Sequence, residues 1–142
     1  MADIFIAEDE LDVGNRTDTL VHVGVTSCFT ISAVMQHMLV GLHVVQFAAD
    51  NSSYQQRLPG LLAQFNMLVG GQPINRLILV APLMFYDYGI ERRIRQGIHG
   101  APAPLVIDIS DSTERGNNVC IRGGQNVVEV VLDGNVIERE AW

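Results

Sequence analysis

The stretch GVTSCFTISAVMQHMLVGLHVVQF, residues 24–47, decides the fold of this chain. From Cys28 onward, in the run CFTISA, apolar residues alternate with small or polar ones. This period of two is typical of a β-strand, because successive side chains of a strand point to opposite faces. Residues 40–48 form a second apolar run. Together they predict a β-hairpin centred near Met35 and Gln36.

Such a hairpin places Cys28 opposite His43. Opposed residues on one face of a sheet have Cβ atoms about 4.5–5.5 Å apart, so this register predicts contact between a thiolate and an imidazole. The turn contains no Gly, Asn or Asp, the residues that favour short hairpin connections. The alternative is a helix over residues 27–39 with Ser27 as its N-cap. That helix also favours a thiolate, since Cys28 would lie at its N-terminus.

The remaining elements follow from apolar runs and the breaks between them. Further strands are predicted at residues 4–7, 20–25, 76–81, 105–109, 119–122, 126–132 and 136–140, and helices at 52–69 and 88–98. Asn51 or Ser52 is the expected cap of the first helix, and Pro59 is expected to confine or kink its early part. Residues 8–18 and 110–118 are predicted to be polar loops. This order predicts one domain, residues 1–142, with an α/β (α+β) layered sandwich fold of two or three layers. Its β-sheet is mixed and largely antiparallel, with two main flanking helices.

Composition limits the class of protein. The chain has 142 residues, of which 48% are hydrophobic and 18% are charged. This composition indicates a globular domain with its own core. Its formal charge of −7 predicts no nucleic-acid partner, because phosphate backbones require clustered cations. The acidic N-terminus lacks a secretory signal, and no apolar run is long enough to span a membrane. We therefore expect a cytoplasmic protein. Neither metal-ligand spacing nor a phosphate-binding fingerprint is present, so we expect no metal and no cofactor.

Cys28 and His43 are the candidate catalytic residues. A cysteine becomes a nucleophile when a neighbouring base accepts its proton. The base must itself be oriented through its second ring nitrogen, and a developing oxyanion needs N–H donors such as the backbone amide of Cys28. The candidates for orienting or oxyanion support are a backbone carbonyl and the residues Ser27, His22 and Gln46. In the alternative interpretation, Cys28 is a small buried hydrophobic residue and His43 a structural histidine.

The motif Thr26-Ser27-Cys28, followed fifteen residues later by His43 in Gly41-Leu42-His43, resembles the Cys–His protein-glutamine deamidases. That superfamily includes the bacterial chemoreceptor glutamine deamidases and the cytotoxic necrotizing factor toxins. In it, the cysteine begins one strand and the histidine lies on the next. The order of the later elements and the run LVIDISD, residues 105–111, are also similar to the chemoreceptor enzymes. Thr26 stands where the family has glycine, and His22 where it often has threonine.

The resemblance implies a hydrolase that converts a protein glutamine side chain to glutamate and releases ammonia. Cys28 would form a thioester, with His43 as general base and acid and no cofactor. The partner would be a protein substrate bearing a reactive glutamine, and the enzyme either a housekeeping protein or an effector delivered by a secretion system. The alternatives are a non-enzymatic protein-binding domain and another cysteine hydrolase or transglutaminase-like enzyme. The acidic loops 8–18 and 110–118 are expected to favour a basic partner surface. The oligomeric state is left open.

Overall fold

The computed structural model describes residues 1–87, 89–112 and 117–142. Within them the chain forms ten strands and two α-helices. The strands are β1 (Asp3–Ile6), β2 (Leu11–Asn15), β3 (Thr19–Val25), β4 (Phe29–Met35), β5 (Met38–Val44), β6 (Ile74–Ala81), β7 (Leu105–Asp108), β8 (Asn117–Arg122), β9 (Val127–Leu132) and β10 (Asn135–Ala141). The helices are α1 (Tyr54–Val69) and α2 (Gly89–Gly97), and short 3-10 turns cover Leu83–Phe85 and Ser110–Ser112.

The strands form two five-stranded sheets that pack face to face. The central sheet has the strand order β2-β5-β4-β6-β7, and the outer sheet has the order β1-β3-β8-β9-β10. Only the pairs β1–β3 and β6–β7 are parallel among the described strands. One face of the central sheet packs against the two helices, and the other packs against the outer sheet. The predicted α/β layered sandwich, largely antiparallel with two flanking helices, is therefore confirmed, and it has three layers.

The alternation predicted from the run CFTISA is also confirmed, and the alternative helix over residues 27–39 does not form. Phe29 and Ile31 pack in the core on the helical side of the central sheet. Cys28 lies in the second core, between the two sheets. Every residue of β4 is buried, because this strand has a layer on each side. Burial of a large apolar side chain such as Phe29 contributes about 1.5–3 kcal/mol to stability.

The β4–β5 hairpin forms, but its register differs from the predicted one. His43 lies opposite Thr30, so the predicted direct pairing of Cys28 with His43 is wrong. The turn between the two strands consists of Gln36 and His37, one position later along the chain than the predicted centre at Met35 and Gln36. Arg16 helps to fix it by donating a hydrogen bond to the carbonyl of Gln36 at 3.0 Å. A two-residue change of register leaves every side chain on its original face, so Cys28 and His43 still face the outer sheet together.

Helix α1 confirms the predicted first helix, with its start shifted slightly. Its N-cap is Ser53 rather than Asn51 or Ser52, and Gln56 completes a capping box with it. The helix continues through Pro59 and ends at Gly70, which has a left-handed φ of 66°. Glycine adopts this conformation without steric cost, which explains its place at the helix end.

Other boundaries differ for identifiable reasons. The predicted loop 8–18 contains β2, an edge strand whose apolar pattern is limited to Leu11 and Val13 and whose partner is β5. The predicted start of the second helix, Tyr88, and residues 113–116 of the predicted second loop lie outside the described residues. Among the described helices, none has the length and apolar character needed to cross a membrane.

Candidate functional site

The thiol and the imidazole lie between the two sheets, at the end of the β4–β5 hairpin that is distant from its turn. Cys28 immediately precedes β4 and is 1% exposed, whereas His43 is completely buried in β5. Because Thr30 is the direct partner of His43, Cys28 is its diagonal neighbour on the same face. Diagonal neighbours lie about 7–8 Å apart, still within reach of a long or aromatic side chain.

His43 is oriented by the backbone of β1. Its Nδ1 lies 3.2 Å from the carbonyl oxygen of Ile6. A carbonyl can only accept a hydrogen bond, so Nδ1 carries the proton, and in the neutral ring Nε2 has a bare lone pair. This Nε2 is buried and has no hydrogen-bond partner among the described residues. The arrangement is that of a base whose second nitrogen is fixed by an orienting group.

Burial lowers the pKa of His43 below its usual value, and this effect outweighs the opposing influences of the Ile6 hydrogen bond and of Glu8. Desolvation penalises the charged imidazolium. The ring is therefore neutral at physiological pH and able to accept a proton at Nε2.

The surroundings of Cys28 favour the protonated thiol at neutral pH. Burial raises its pKa to about 11, and the neighbouring carboxylate of Glu8 adds to the effect. A backbone hydrogen bond from Thr26 opposes the increase. Glu8 Oε1 lies 4.0 Å from the sulfur, while His43 Nε2 makes no hydrogen bond to it. The predicted thiolate–imidazole contact is therefore wrong for this state, in which both groups are neutral.

An acidic strap, residues 7–10, crosses this end of the hairpin. The N–H of Asp9 donates to the carbonyl of His43 at 2.6 Å, and the N–H of His43 donates to the carbonyl of Glu10 at 3.1 Å. The carboxylate of Asp9 forms an ion pair with Arg57 of α1 at 2.6 Å. These contacts hold Glu8 of the strap beside the thiol.

A buried polar cluster lies next to His43 on the same inner face. The ring of His22 meets that of His43 edge to face, with centroids 5.9 Å apart, and its Nε2 lies 3.3 Å from the hydroxyl of Ser32. Burial and the nearby His43 lower the pKa of His22 to about 3. The hydroxyl of Thr30 and Nδ1 of His22 have no hydrogen-bond partner among the described residues. His22 therefore packs against the candidate base, while Ile6 orients it.

The other two candidates from the sequence lie at the border of the site. The carbonyl of Ser27 accepts a hydrogen bond from the hydroxyl of Tyr86. The side-chain amide of Gln46 donates to the carbonyl of Phe85 at 3.0 Å and so does not orient His43. Both contacts fix the segment that contains the 3-10 turn Leu83–Phe85 beside Cys28.

Exposed apolar side chains lie on this fixed segment and on the chain that follows β5. Phe47 and Met84 are each 59% exposed, and Phe85 is 42% exposed. We call these three residues the apolar rim. The hydrogen bond from Gln46 to Phe85 brings the two parts of the rim together, and Tyr86 joins them to Ser27, next to Cys28.

Sequence reasoning did not identify Ile6, Glu8 or Ser32 as parts of the site. Ile6 acts through its backbone, which no side-chain pattern reveals. Glu8 was part of a run of acidic residues with no feature that pointed to the thiol. Ser32 lies on the same face as Cys28 in the alternating run, so the period of two could have identified it.

Among the described residues, no group of three or more His, Cys, Asp or Glu side chains is placed to hold a metal ion. No known protein-family model matches the chain, and no curated protein matches it either.

Proposed function

We propose that this protein is a thiol-dependent deamidase that converts a glutamine side chain of a protein substrate to glutamate. The observation that supports this most directly is the state of His43. Its Nδ1 donates to the Ile6 carbonyl at 3.2 Å, while its buried Nε2 is unpartnered among the described residues. A base with this orientation lies on the same sheet face as the thiol of Cys28, which belongs to the core between the two sheets.

In the first half of the reaction, Nε2 of His43 takes the proton of the Cys28 thiol as the sulfur attacks the carboxamide carbon. Because the thiol and imidazole begin neutral, proton transfer accompanies the attack rather than preceding it. The oxyanion of the tetrahedral intermediate requires N–H donors, and the backbone amide of Cys28 is the candidate. The imidazolium then protonates the leaving nitrogen, the carbon–nitrogen bond breaks, and ammonia departs to leave a thioester.

In the second half, His43 accepts a proton from water as the water oxygen attacks the thioester carbon. The carbon–sulfur bond then breaks, the proton returns to the Cys28 sulfur, and the product is a glutamate side chain. General acid–base catalysis of this kind contributes about 10²–10⁴-fold to a rate. The neutral His43 suits both halves, since it must accept a proton at the start of each.

The diagonal separation of the two side chains is compatible with this role. Catalytic hydrogen bonds are often long in the absence of substrate and tighten in the complex. The hydroxyl of Tyr86 bonds the carbonyl of Ser27 and Glu8 of the acidic strap lies 4.0 Å from the Cys28 sulfur, so a substrate side chain that reaches Cys28 must displace one of these groups.

The apolar rim supports a protein rather than a small molecule as the substrate. Phe47, Met84 and Phe85 present exposed apolar surface beside the site, and a group of such side chains in one place is typical of surfaces where another protein binds. We infer that the rim contacts the chain that flanks the target glutamine.

One observation favours the alternative, a non-enzymatic binding domain with a structural cysteine. Cys28 is almost completely buried, and burial raises its pKa, as it does that of Cys120 in the outer sheet. A structural role requires no reaction of Cys28 until the protein unfolds.

The test is a search for deamidated glutamine in a protein mixture. The mixture is treated with the wild-type protein, Cys28→Ala or Cys120→Ala, and analysed by mass spectrometry. We expect glutamine-to-glutamate conversion with wild type and Cys120→Ala and none with Cys28→Ala. Activity that persists in Cys28→Ala contradicts the proposal. Incorporation of an added primary amine in place of hydrolysis identifies a transglutaminase-like enzyme instead.

A further inference from the structure

The charge at the thiol is unbalanced. Three charged side chains act on Cys28: those of Glu8 and Asp9 disfavour the thiolate, and that of Arg57 favours it. Asp9 and Arg57 form an ion pair at 2.6 Å and largely neutralise each other. Glu8 is exposed, lies 4.0 Å from the sulfur and forms no ion pair within the described residues. One negative charge, that of Glu8, is therefore left uncompensated beside the thiol.

The partners of Arg57 among the described residues are groups other than Glu8. Besides its ion pair with Asp9, its guanidinium donates to the carbonyl of Val45 and, at 3.4 Å, to that of Ser52. These acceptors join α1 to the end of β5 and fix the direction of the side chain. Glu8 therefore has no cationic partner among the described residues, and its carboxylate can attract a positive group that approaches Cys28.

His43 experiences the same negative field. The carboxylates of Glu8, Asp9 and Glu10 all favour its protonated form. A positive group that enters between the strap and Cys28 would be attracted by every uncompensated charge near the dyad, and a negative group would be repelled by them.

We propose that Glu8 is a specificity-determining residue that selects protein segments with a lysine or arginine beside the target glutamine. The substrate cation forms an ion pair with the Glu8 carboxylate and draws it away from the Cys28 sulfur, which exposes the thiol to the carboxamide. This inference rests on the proposed deamidase function, since it assumes that Cys28 is the reacting group. It narrows the substrate from any glutamine-bearing protein to one with basic sequence around the glutamine.

The test uses two methanethiosulfonate reagents of similar size, one with a quaternary ammonium group and one with a sulfonate group. In each reaction the Cys28 sulfur displaces methanesulfinic acid, and a mixed disulfide forms. The rate at Cys28 is followed by peptide mass spectrometry and divided by the rate for the same residue in the unfolded protein. This division removes the intrinsic difference between the reagents.

Opposite unit charges about 4 Å apart in water attract by an energy equivalent to about fivefold in rate, and like charges repel by a similar factor. In the wild type, we therefore expect the cationic reagent to modify Cys28 at least tenfold faster than the anionic one. Glu8→Gln keeps the shape of the side chain and should bring this ratio close to one. Glu10→Gln removes an exposed charge of the same strap and is the matched control; it should keep most of the preference.

The inference can be overturned in two distinguishable ways. Equal rates for the two reagents, or a preference that persists in Glu8→Gln, would remove the role of Glu8 while leaving Cys28 a reactive thiol. If neither reagent modifies Cys28 before the protein unfolds, the deamidase proposal fails and this inference fails with it.

Discussion

Gly41 is the position where a single methyl group is expected to disturb both the fold and the site. It lies on β5 two residues before His43, facing the outer sheet. A Cβ at this position would lie 2.7 Å from Cδ1 of Ile6, 2.9 Å from Cδ1 of Leu20 and 3.2 Å from Cε1 of His22. All three side chains are completely buried, so none can move into solvent to make room.

Overpacking of a well-packed core costs about 1–3 kcal/mol, and two of the contacts fall below 3.0 Å. We therefore expect Gly41→Ala to lower the free energy of unfolding by about 2 kcal/mol. The variant should also slow every reaction of Cys28 that depends on His43. Ile6 supplies the carbonyl that orients His43, and His22 packs against its ring.

Urea unfolding followed by circular dichroism measures the first effect. Gly60→Ala is the matched control, because Gly60 lies in α1 and an added Cβ meets no atom within 4 Å. Removing a helical glycine should stabilise that variant by about 0.5–1 kcal/mol. A Gly41→Ala protein as stable as the wild type would refute the close packing of the two sheets around this residue.

Two further predictions concern the polar cluster between the sheets. Thr30→Val replaces a buried hydroxyl that has no hydrogen-bond partner among the described residues. Urea unfolding should therefore show stability that is unchanged or increased by about 1 kcal/mol. A clear loss of stability would mean that the hydroxyl forms a hydrogen bond in the folded protein. The second prediction follows from the low pKa of His22, about 3 in the folded state against an ordinary 6.5. Between these values the unfolded chain binds more protons, so stability should fall by up to about 5 kcal/mol as pH decreases from 6.5 toward 3. Urea unfolding curves measured across this pH range should show that stability depends less on pH in His22→Leu than in the wild type. The control is His37→Asn, whose side chain is exposed and in which the pH dependence of stability should be unchanged. An equal pH dependence of stability in both variants would contradict a neutral, buried His22.

The alternating pattern of β4 predicted which face each side chain occupies, but it could not determine the register of the hairpin. The face that a side chain occupies depends only on the alternation along its strand, so the sequence placed Cys28 and His43 on the correct common face. Register depends on where the turn forms, and the turn is held by Arg16, which is distant in sequence from Gln36. The predicted partner of His43 was therefore two residues away from the true one, Thr30.

The groups around the dyad were less predictable because they come from tertiary contacts. The carbonyl of Ile6 reaches His43 only because β1 lies in the outer sheet, facing β5. Glu8 reaches Cys28 because Asp9, with a positive φ of 58°, turns the strap while its side chain is held by Arg57. The raised pKa of the Cys28 thiol could not be predicted from the sequence for the same reason: the burial and the Glu8 carboxylate that raise it are properties of the folded chain.

The most direct test of the proposed dyad is labelling by a peptide that carries a chloromethyl ketone in place of the glutamine carboxamide. Its electrophilic carbon lies close to the position of the carbon that Cys28 would attack, and loss of chloride makes the product stable for mass spectrometry. The proposal predicts that Cys28 is labelled in the folded wild-type protein while Cys120 is not. In His43→Ala, labelling of Cys28 should be about 10²–10⁴-fold slower, with folding verified by circular dichroism. Equal labelling of Cys28 in wild type and His43→Ala, or labelling only after unfolding, would contradict a catalytic Cys28–His43 pair.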